Sequence, residues 1–369
     1  MKDEFYMRRA LELAKKGAGH VSPNPMVGAV IVKDDEIIAE GYHEKYGELH
    51  AERNAIKHAK KKGYDADTLA GSTIYVTLEP CCHYGKTPPC TEAIIENRIS
   101  RVVIGSKDPN PLVSGGGVKQ LKNAGIEVIS GVLVEECDRL NEIFFHYIKE
   151  KKPFVLMKYA MTADGKIATK TGLSQWITSE EARKKVHEYR NLYSAIAVGI
   201  GTVLADDPLL TCRISGGRNP VRVICDSKLR IPFDSQIVKT AGEVKTIIAC
   251  KKDSDDSEKQ RMLEEAGCEI LTLSEDMDGH MNLNELMEEL GKRGIDSLLI
   301  EGGGTLNWSA LKSNIVNKIH TYVAPKFFGG AAATPVSGDG VDYPDDAFTF
   351  KIRSVEMIGS DILIESVVK

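Results

Sequence analysis

The sequence lacks the features that would point to a membrane or to nucleic acid. It contains no continuous run of about 18 apolar residues, so no transmembrane helix is predicted. The opening segment MKDEFYMRRALELAKKG is charged throughout and does not have the apolar run of a signal peptide. Positive charge is in deficit, with a formal net charge of -5 and a pI near 6.0. We therefore expect no membrane partner and no nucleic-acid partner, although a small anionic substrate needs only a local basic pocket.

A disulfide framework is also missing. Five of the eight cysteines are scattered singly along the chain: Cys137, Cys212, Cys225, Cys250 and Cys268. Isolated cysteines of this kind are typical of reduced thiols, so the sequence predicts a cytoplasmic protein. The other three lie with a histidine in the stretch EPCCHYGKTPPC, residues 79–90. This clustering favours a metal site or a catalytic site over a disulfide.

Strand and helix signals predict two α/β domains in the 369-residue chain. In the first half, two β-rich runs, Met26–Val32 and Glu36–Tyr42, flank the turn-like sequence KDD, and alternating strands and helices follow. This order predicts a mixed sheet between two layers of helices. The charged segment KEKKP, residues 149–153, predicts the boundary, and a second alternating series begins at Phe154–Tyr159. The predicted domains are residues 1–148 and 152–369.

Glycines mark where two of the helices are expected to end. A helix over Glu4–Lys16 should end at Gly17 in the left-handed conformation, and one over Ala51–Lys62 should end at Gly63. One long helix is expected over Glu135–Glu150, just before the predicted boundary. In the second half, the pattern predicts helices near Ser179–Tyr189, Ser257–Ala266 and Leu283–Arg293, and strands at Ala195–Val198, Val221–Cys225, Val244–Ala249, Glu269–Thr272, Ser297–Ile300 and Ile319–Ala324.

The decisive partner of the cysteine stretch lies upstream, at His50-Ala51-Glu52. A histidine, a glutamate two residues later, then Pro80-Cys81 and a further cysteine form the signature of zinc deaminases. One imidazole and two thiolates fill three positions of a tetrahedral zinc and leave the fourth for water. Zinc lowers the pKa of that water to about 7. Glu52 is then predicted to carry protons between the water and the substrate.

The spacing of the cysteines departs from the short deaminase pattern, which has two residues between its thiolates. Eight residues separate Cys81 from Cys90. Adjacent Cys81 and Cys82 can rarely bind one tetrahedral ion, because successive side chains diverge. The insertion CHYGKTPP contains a glycine and two prolines and can return Cys90 to the metal. It also carries His83 and Lys86, which suit an anionic substrate with a ring.

The segments NPMVGAVIV, GYHEKYGELHAE, TLEPCCHYGKTPPC and DPNPLVSGGG resemble the amino-terminal half of the bifunctional riboflavin-biosynthesis deaminase–reductases. The resemblance covers about residues 1–148 and includes the long cysteine spacing. It implies a cytidine-deaminase-like α/β/α sandwich with one Zn2+ per deaminase domain. It also implies a diaminopyrimidinone ribosyl 5′-phosphate that loses the amino group at C2. The implied zinc ligands are His50, Cys81 and Cys90, the implied catalytic proton shuttle is Glu52, and the implied substrate contacts are Asn24, His43, His83, Lys86, Asp108 and Asn110.

Two glycine clusters stand out in the second half, VGIGTVLADDP at 198–208 and IEGGGTLNWS at 300–309. Neither is a Rossmann fingerprint, since Gly199-x-Gly201 lacks the third glycine. The run Gly302–Gly304 follows a predicted strand, and its amides could bind pyrophosphate. Asp226, at the end of VRVICD, could bind a ribose, but Ser227-Lys228 directly after it suits a 2′-phosphate better. From the glycines alone, a simple turn and a cofactor site remain open.

The segments MKYAMTADGKIA, GLSQWIT, VGIGTVLADDPLLTCR and IEGGGTL resemble the reductase half of the same family, over residues 152 to about 367. The resemblance implies a dihydrofolate-reductase-like α/β fold and NADPH as the reductant of the ribosyl group. Arg190 and Arg213 suit phosphate forks, and Lys158 or Glu301 is the candidate proton donor. The implied NADPH contacts are Ala160, Trp176, Thr202, Asp206, Ser227, Gly302, Gly303, Gly304, Thr305 and Leu306. The implied substrate contacts are Lys158, Ser174, Thr178, Arg190, Leu210, Arg213 and Glu301.

The sequence as a whole predicts one enzyme that performs zinc-dependent hydrolytic deamination and then NADPH-dependent reduction of a small phosphorylated pyrimidine. The resemblance also implies a homo-oligomer built through the reductase domains. One alternative is a tRNA-type nucleic-acid base deaminase with an accessory domain. The acidic charge and the aromatic content of 6% oppose it, because that function needs a basic groove and base-stacking rings. The other alternative is a structural zinc scaffold in which Glu52 has no chemical task.

Overall fold

Two compact units, Met1–Glu150 and Lys151–Lys369, divide the chain. We refer to them as the N-terminal unit and the C-terminal unit. The structure is a computed structural model that describes residues 2–85, 87–110, 113–252 and 257–368. In these ranges, no helix is both long enough and apolar enough to cross a membrane.

Strands and helices alternate along the N-terminal unit. Its elements are α1 (Lys2–Ala14), β1 (Gly28–Lys33), β2 (Glu36–Tyr42), α2 (Ala51–Lys61), α3 (Ala66–Leu69), β3 (Thr73–Leu78), α4 (Cys90–Glu96), β4 (Arg101–Ser106), α5 (Gly116–Asn123), β5 (Glu127–Ser130), α6 (Val134–Leu140) and α7 (Glu142–Glu150). The strands form one sheet in the order β2-β1-β3-β4-β5. β1 is antiparallel to β2 and β3, whereas β3, β4 and β5 are parallel. The sheet is therefore mixed, as the opening hairpin predicts.

Two apolar cores cover the two faces of this sheet, because successive side chains of a strand point to opposite faces. Ile74 and Val76 of β3 belong to one core, which also contains residues of α2, α4, α5 and α7. Tyr75, which lies between them, belongs to the other core together with Tyr6 and Met7 of α1. The sheet is thus packed between two layers of helices.

The helix expected over Glu135–Glu150 is broken at Asn141 into α6 and α7. The Asn141 side chain binds both backbone groups of Met26, the N–H and the carbonyl. Its Oδ1 accepts the Met26 N–H at 2.8 Å, and its Nδ2 donates to the Met26 carbonyl at 3.0 Å. The prediction of one helix is therefore wrong. The contact that holds Asn141 at the break joins residues 115 positions apart, and no local sequence pattern reveals it.

The two glycines expected to end helices differ in what they contribute. Gly63 follows α2 with a φ of 92°, in the left-handed region that favours glycine. Gly17 is not left-handed, because a 3₁₀ turn extends the first helix to it and Gly19 has the positive φ, of 81°. Gly17 is instead required for space: a Cβ there would lie 2.7 Å from the carbonyl oxygen of His43.

The C-terminal unit contains a larger sheet. Its elements are β6 (Phe154–Thr162), α8 (Glu180–Leu192), β7 (Ala195–Gly199), α9 (Ile200–Asp206), β8 (Val221–Cys225), α10 (Gln236–Lys239), β9 (Thr246–Lys251), α11 (Ser257–Glu265), β10 (Cys268–Leu273), α12 (Leu283–Lys292), β11 (Ser297–Ile300), α13 (Gly304–Lys312), β12 (Lys318–Ala324), β13 (Phe350–Ile358) and β14 (Asp361–Val368). The strand order is β10-β9-β8-β7-β11-β6-β12-β14-β13. The first seven strands in that order are parallel, and β14 pairs antiparallel with β12 and β13.

Neighbouring parallel strands in the middle of this sheet bring the predicted cofactor segments together. β7, β11 and β6 are adjacent. The glycines of both clusters lie where one of these strands ends: Gly199 is the last residue of β7, and Glu301 follows β11 directly. In parallel α/β sheets, ligands bind beyond the carboxyl ends of the strands. The topology therefore places both clusters at the same edge of the sheet.

The last two strands, β13 and β14, are not predicted from the sequence. The pairing register shifts between Ile352 and Ser354, so β13 contains a bulge that interrupts the alternation of its side chains. Ile352, Val355 and Met357 lie opposite alternate residues of β14 and therefore share one face. They are exposed by 59%, 60% and 65%. The apolar residues of β13 face solvent, and the bulge breaks their alternation, so the sequence does not show the pattern of a strand that covers a core.

Two cations and a histidine surround one carboxylate on the antiparallel side of this sheet. The carboxylate of Glu365 on β14 lies 3.2 Å from Nε2 of His320, 3.7 Å from Nζ of Lys318 and 3.4 Å from Nη1 of Arg353. The hydrogen bond with His320 is the largest of the effects that lower the pKa of Glu365 from 4.5 to about 2. The ionised Glu365 side chain is therefore a stabilising group of the fold at neutral pH.

We expect the Glu365→Gln variant to melt at a lower temperature than the wild type at pH 7 and to approach it as the pH falls. A carboxylate whose pKa is depressed stabilises the fold above its unfolded pKa, and this contribution is lost between pH 4.5 and about 2. The difference corresponds to about 3 kcal/mol. Calorimetric scans from pH 7 to pH 3 measure it, with Glu356→Gln, an exposed carboxylate on β13, as the control. A melting difference that does not change with pH would contradict the assignment.

Candidate active sites

The three predicted metal ligands meet at one edge of the N-terminal sheet. His50 is the N-cap residue of α2, Cys81 follows β3, and Cys90 begins α4. Nδ1 of His50 lies 3.5 Å from Sγ of Cys81 and 3.5 Å from Sγ of Cys90, and all three atoms are within 4.8 Å of one another. Zinc bonds of about 2.0 Å to nitrogen and about 2.3 Å to sulfur, at a tetrahedral angle, separate the two atoms by roughly 3.5 Å. The donor set therefore fits a tetrahedral zinc ion.

The protonation of Cys81 suits a cation, whereas the hydrogen bond with Cys81 and burial raise the pKa of the Cys90 thiol well above its usual value. The hydrogen bond from Cys90 is the largest of the effects that lower the pKa of the Cys81 thiol to about 4, and His50 lowers it further. The backbone N–H of Cys90 also donates to Sγ of Cys81 at 3.3 Å. The hydrogen bond to Cys81 in turn raises the pKa of His50. Cys81 is therefore a thiolate at neutral pH, the form that binds metal.

Cys82 lies apart from this group. Within the described ranges, the cluster of possible metal ligands consists of His50, Cys81 and Cys90. The Cys82 thiol packs against the start of α5, since a Cβ added to Gly116 would lie 2.8 Å from its Sγ. Burial raises the pKa of Cys82. Cys82 is thus a packed, neutral thiol next to the metal ligands.

Glu52 faces a cavity of about 330 Å³. It lies in the first turn of α2, is only 3% exposed, and has its pKa raised by burial. A carboxyl group whose pKa is shifted toward neutrality can both accept and donate a proton. The predicted residues that line the same cavity are Asn24, His43, His50, Cys81, His83, Asp108 and Asn110. Lys86, the remaining predicted substrate contact, lies outside the described residues.

The hydrogen bonds of His43 fix its tautomer. Its Nδ1 lies 3.0 Å from the carbonyl of Leu49, which can only accept, so Nδ1 carries the hydrogen. Nε2 then accepts from Nδ2 of Asn24 at 3.1 Å. Burial lowers the pKa of His43, so the ring is neutral at pH 7. This arrangement leaves the amide oxygen of Asn24 to face a ligand.

Asp108 is the second carboxyl group of the cavity whose titration is shifted. It is buried, and its Oδ1 accepts the N–H of Asn110 at 2.8 Å. Burial is the largest of the effects that raise its pKa to about 6. Near neutral pH, Asp108 is therefore suited to bind either a donor or an acceptor on a heterocycle.

Several cavity residues were not identified from the sequence. Glu79 is buried, and its two carboxylate oxygens accept the N–H groups of Gly115 and Val118, each at 3.1 Å. This contact joins the end of β3 to the start of α5, directly before Pro80 and Cys81. The position of Glu79 beside the first cysteine was an available signal. The unpredicted aromatic residues of the wall are Tyr46, Phe144 and Tyr147.

A buried ion pair lies at the predicted reductase site of the C-terminal unit. Nε and Nη2 of Arg190 donate to the two carboxylate oxygens of Glu301 at 2.8 and 2.7 Å, and the side chains are 12% and 10% exposed. Nη1 of Arg190 donates to the carbonyl of Thr211 at 3.0 Å. Burial alone would raise the pKa of Glu301, but Arg190 outweighs this effect and lowers it. The fork of Arg190 is thus engaged by Glu301, and its role as a phosphate ligand stays a prediction.

The charges of Glu301 and Arg190 both act on the ammonium group of Lys158. Burial is the largest effect on its ammonium group and lowers its pKa, while the charge of Glu301 opposes the shift. Its Nζ lies 5.3 Å from the centre of the Tyr322 ring. A lysine whose pKa is lowered by burial is suited to proton transfer.

His187 is a residue of this site that was not identified from the sequence. It precedes Arg190 by three positions on α8, and its Nε2 accepts a hydrogen bond from Nε of Arg213 at 3.3 Å. Burial and the two arginines lower the pKa of His187. A neutral His187 therefore holds Arg213 near Arg190. The three-residue spacing of His187 and Arg190, at the end of the helix predicted near Ser179–Tyr189, was the signal available in the sequence.

The second glycine cluster forms the turn from β11 into α13. Gly302 and Gly303 have φ angles of 121° and 89°, which favour glycine. The N–H of Gly199 donates to the carbonyl of Gly302 at 3.4 Å, and a Cβ on Gly303 would lie 3.5 Å from Oγ1 of Thr202. Gly303 is the N-cap residue of α13 and provides no side-chain cap. The first N–H groups of α13 therefore suit the phosphates of NADPH.

The other predicted cofactor and substrate residues are spread over several elements of the C-terminal unit. Oγ of Ser174 donates to Oδ1 of Asp206 at 3.1 Å. The Trp176 ring is exposed and lies 4.7 Å from the guanidinium of Arg183. Among the remaining predicted residues, Ala160 lies on β6, Thr305 and Leu306 lie on α13, and Thr178 and Leu210 are buried outside helices and strands.

The corner after β8 contains Asp226, the candidate ribose ligand, and Ser227-Lys228, the candidate 2′-phosphate site, and its structure favours the second. Asp226 is fully buried, and its Oδ2 accepts the N–H of Ile231 at 2.8 Å, so it closes its own turn. The carbonyl of Ser227 accepts the N–H of Lys251 at 3.3 Å. Lys228 is exposed. Lys228, rather than Asp226, is therefore accessible to a ligand at this corner.

Two family models match separate parts of the chain. Residues 1–106 match the cytidine and deoxycytidylate deaminase zinc-binding region. Residues 153–364, more than half of the chain, match the RibD C-terminal domain. The chain belongs to the RibD family. It is a bifunctional deaminase and reductase of riboflavin biosynthesis with zinc and NADPH as cofactors, and the predicted fold class is confirmed.

Full-length relatives support the RibD assignment. Riboflavin biosynthesis protein RibD of Actinobacillus pleuropneumoniae is 54% identical, over 100% of this chain and 96% of that protein. RibD of Aquifex aeolicus is 43% identical, over 98% of this chain and 97% of that protein. A crystal structure from Thermotoga maritima, described as a diaminohydroxyphosphoribosylaminopyrimidine deaminase and 5-amino-6-(5-phosphoribosylamino)uracil reductase, is 44% identical. It has a TM-score of 0.87 and covers 100% of this chain and 99% of that one.

Proposed function

We propose that this enzyme deaminates 2,5-diamino-6-ribosylamino-4(3H)-pyrimidinone 5′-phosphate and then reduces the ribosyl group, giving 5-amino-6-ribitylaminouracil 5′-phosphate. We assign deamination to residues 1–148 and NADPH-dependent reduction to residues 152–369. The observation that carries the first assignment is the meeting of His50, Cys81 and Cys90 beside the buried Glu52. The second rests on the glycine turn next to the Arg190–Glu301 pair.

In the deaminase site, His50, Cys81 and Cys90 would hold the zinc ion. Zinc, when bound, supplies the Lewis acidity that makes water nucleophilic near neutral pH. Glu52 takes one proton from the attacking water and delivers it to the ring nitrogen, then carries the second from the new hydroxyl on C2 to the amino group, which leaves as ammonia. The C2–N bond breaks as the C2–O bond forms, so one water is consumed and one ammonia is released. Asn24 and Asp108 orient the ring through their polar edges.

In the reductase site, the residues around the glycine turn would hold NADPH. NADPH, when bound, supplies the hydride for C1′ of the ribose. Lys158 is the better candidate for the proton that goes to the sugar oxygen, because Arg190 keeps Glu301 ionised and a carboxylate has no proton to give. Glu301 then serves to orient Arg190 and Lys158.

Mass spectrometry of the products tests the proposed reactions. Without NADPH, the diaminopyrimidinone substrate should lose an amino group and gain an oxygen. With NADPH, the same product should gain two further hydrogens. Recovery of unchanged substrate, or of a reduced product that keeps both amino groups, would contradict the proposed substrate or the proposed order.

We expect Cys90→Ser and Cys82→Ser to differ sharply in zinc content. Cys90→Ser removes one of three proposed ligands, so the purified protein should contain little zinc and show no deaminase activity. Cys82→Ser changes a packed thiol outside the ligand group and should keep both. Zinc content by mass spectrometry and NADPH oxidation with pre-deaminated substrate, as the control for folding, measure the effect. Zinc that follows Cys82 instead of Cys90 would contradict the ligand set.

We also propose that two copies of the chain associate through β13. Unpaired backbone groups make an edge strand a template for pairing. The bulge collects Ile352, Val355 and Met357 into one exposed apolar face beside that edge. We expect Val355→Lys to shift the protein toward monomer in sedimentation experiments, while Lys351→Glu, an exposed change on the same strand, should not. A wild-type monomer at micromolar concentration would contradict the association.

We propose that the enzyme works in the cytoplasm. All eight cysteines are free thiols, the state in which cysteines persist in a reducing compartment.

A further inference from the structure

Arg53 joins the first turn of α2 to the segment that leads into Cys90. Its Nε donates to the carbonyl of Pro88 at 2.9 Å, and its Nη2 donates to the carbonyl of Pro89 at 2.6 Å. One planar guanidinium thus binds two successive backbone oxygens. The roles proposed above for zinc, substrate and proton transfer do not involve this side chain.

At Pro88 and Pro89, the carbonyl is the one backbone group that can form a hydrogen bond and so hold the segment in place. Proline has no backbone N–H, so neither residue can donate a hydrogen bond that would fix the segment. Pro89 is the N-cap residue of α4 and has no side-chain cap. Arg53 therefore fixes the backbone immediately before Cys90 from the carbonyl side.

Cys90 in turn contacts both other ligands, and Thr91, the next residue of α4, donates its N–H and its hydroxyl to the carbonyl of Cys81, each at 3.2 Å. Sγ of Cys90 lies 3.5 Å from Nδ1 of His50, and the Cys90 N–H donates to Sγ of Cys81 at 3.3 Å. His50 and Arg53 are three positions apart at the start of the same helix. The first turn of α2 thus contacts one short segment twice: the His50 imidazole contacts Cys90, and the Arg53 guanidinium binds the two prolines just before it.

We propose that Arg53 is a positioning residue that keeps Cys90 at ligand distance from His50. The inference rests on the proposed ligand set. A guanidinium suits this task because it presents two donors side by side in a fixed plane, whereas an ammonium group is a single point charge. The side chain also borders an open groove of about 500 Å³ that Lys57 lines one turn further along. Pro88 is exposed, so water can replace the guanidinium at its carbonyl when Arg53 is removed, and the loss falls on the position of the segment that leads to Cys90.

The test compares Arg53→Met and Arg53→Lys with Lys57→Met, a matched loss of charge in the same groove. Zinc transfer from the purified holoenzyme to a chromophoric chelator is followed by absorbance. Residues that orient metal ligands typically change metal affinity about 10- to 100-fold. We expect Arg53→Met to release zinc faster by a factor in that range, Arg53→Lys to be intermediate, and Lys57→Met to match the wild type.

The rise in melting temperature on adding zinc separates positioning from general stability. A positioning role makes that rise smaller in Arg53→Met, whereas a purely structural role lowers the melting temperature equally with and without zinc. Wild-type release from Arg53→Met, an undiminished rise, or equally fast release from Lys57→Met would overturn the inference. If Arg53→Met does not fold, wild-type release from Arg53→Lys would overturn it. Failure of the ligand set differs from these results, because Cys90→Ser would then retain zinc.

Discussion

Replacement of Glu52 by glutamine should reduce deamination by about 10²- to 10⁴-fold, the range that general acid–base catalysis contributes. Glutamine keeps the size and polarity of the buried side chain but cannot take a proton from water. The metal ligands are separate residues, so zinc content should stay at the wild-type level. Steady-state ammonia release, with zinc measured in the same preparation, gives the result.

Two controls make the Glu52→Gln result specific. Glu48→Gln changes an exposed carboxylate that lines the same cavity, and it should keep most of the activity. Reduction of pre-deaminated substrate should be unchanged, because it belongs to the C-terminal unit. Unchanged deamination by a zinc-loaded Glu52→Gln enzyme would exclude the shuttle and revive the structural zinc scaffold.

The second large effect is expected from Arg190→Met. Removal of one partner from a buried ion pair leaves the other charge uncompensated and typically costs about 3–5 kcal/mol. Lys158 stays close to Glu301, so we expect the lower end of that range, together with loss of reductase activity. Deaminase activity should persist in any fraction that remains folded.

The pH dependence of this loss follows from the sign of the pKa shift. In the wild type, Arg190 outweighs the burial of Glu301 and lowers its pKa. Without Arg190, burial raises that pKa, so the folded variant takes up a proton and regains stability as the pH falls toward 5. The double variant Arg190→Met/Glu301→Gln should regain stability at pH 7 as well. Calorimetry on these proteins, with Lys184→Met on the exposed side of α8 as control, measures both effects. A deficit that grows on acidification would contradict the ion-pair argument.

The metal site could be predicted because each of its residues stands at an end of a helix or strand. His50 and Cys90 start α2 and α4, and Cys81 follows β3. Parallel packing of alternating strands and helices brings such ends to one edge of the sheet, so spacing in the sequence translates into proximity. The same reasoning applies to the glycine turn after β11.

The remaining contacts could not be predicted because they join residues far apart that have no periodic pattern. Asn141 binds Met26 across 115 positions, and Arg190 binds Glu301 across 111. β13 was missed because its apolar side chains are exposed and a bulge interrupts their alternation. Gly17 was assigned the wrong role because its small size serves a close approach to another segment.

The position of α7 has a consequence for dividing the two activities between separate genes. All proposed zinc ligands, the proton shuttle and the predicted substrate contacts of the deaminase lie before residue 111. Phe144, Tyr147 and Ile148 of α7 nevertheless form one wall of the cavity, and α7 ends at the unit boundary. A chain cut after β5 would keep every proposed reactive group of the deaminase and lose one wall of its cavity. A separately encoded deaminase must therefore extend through Glu150.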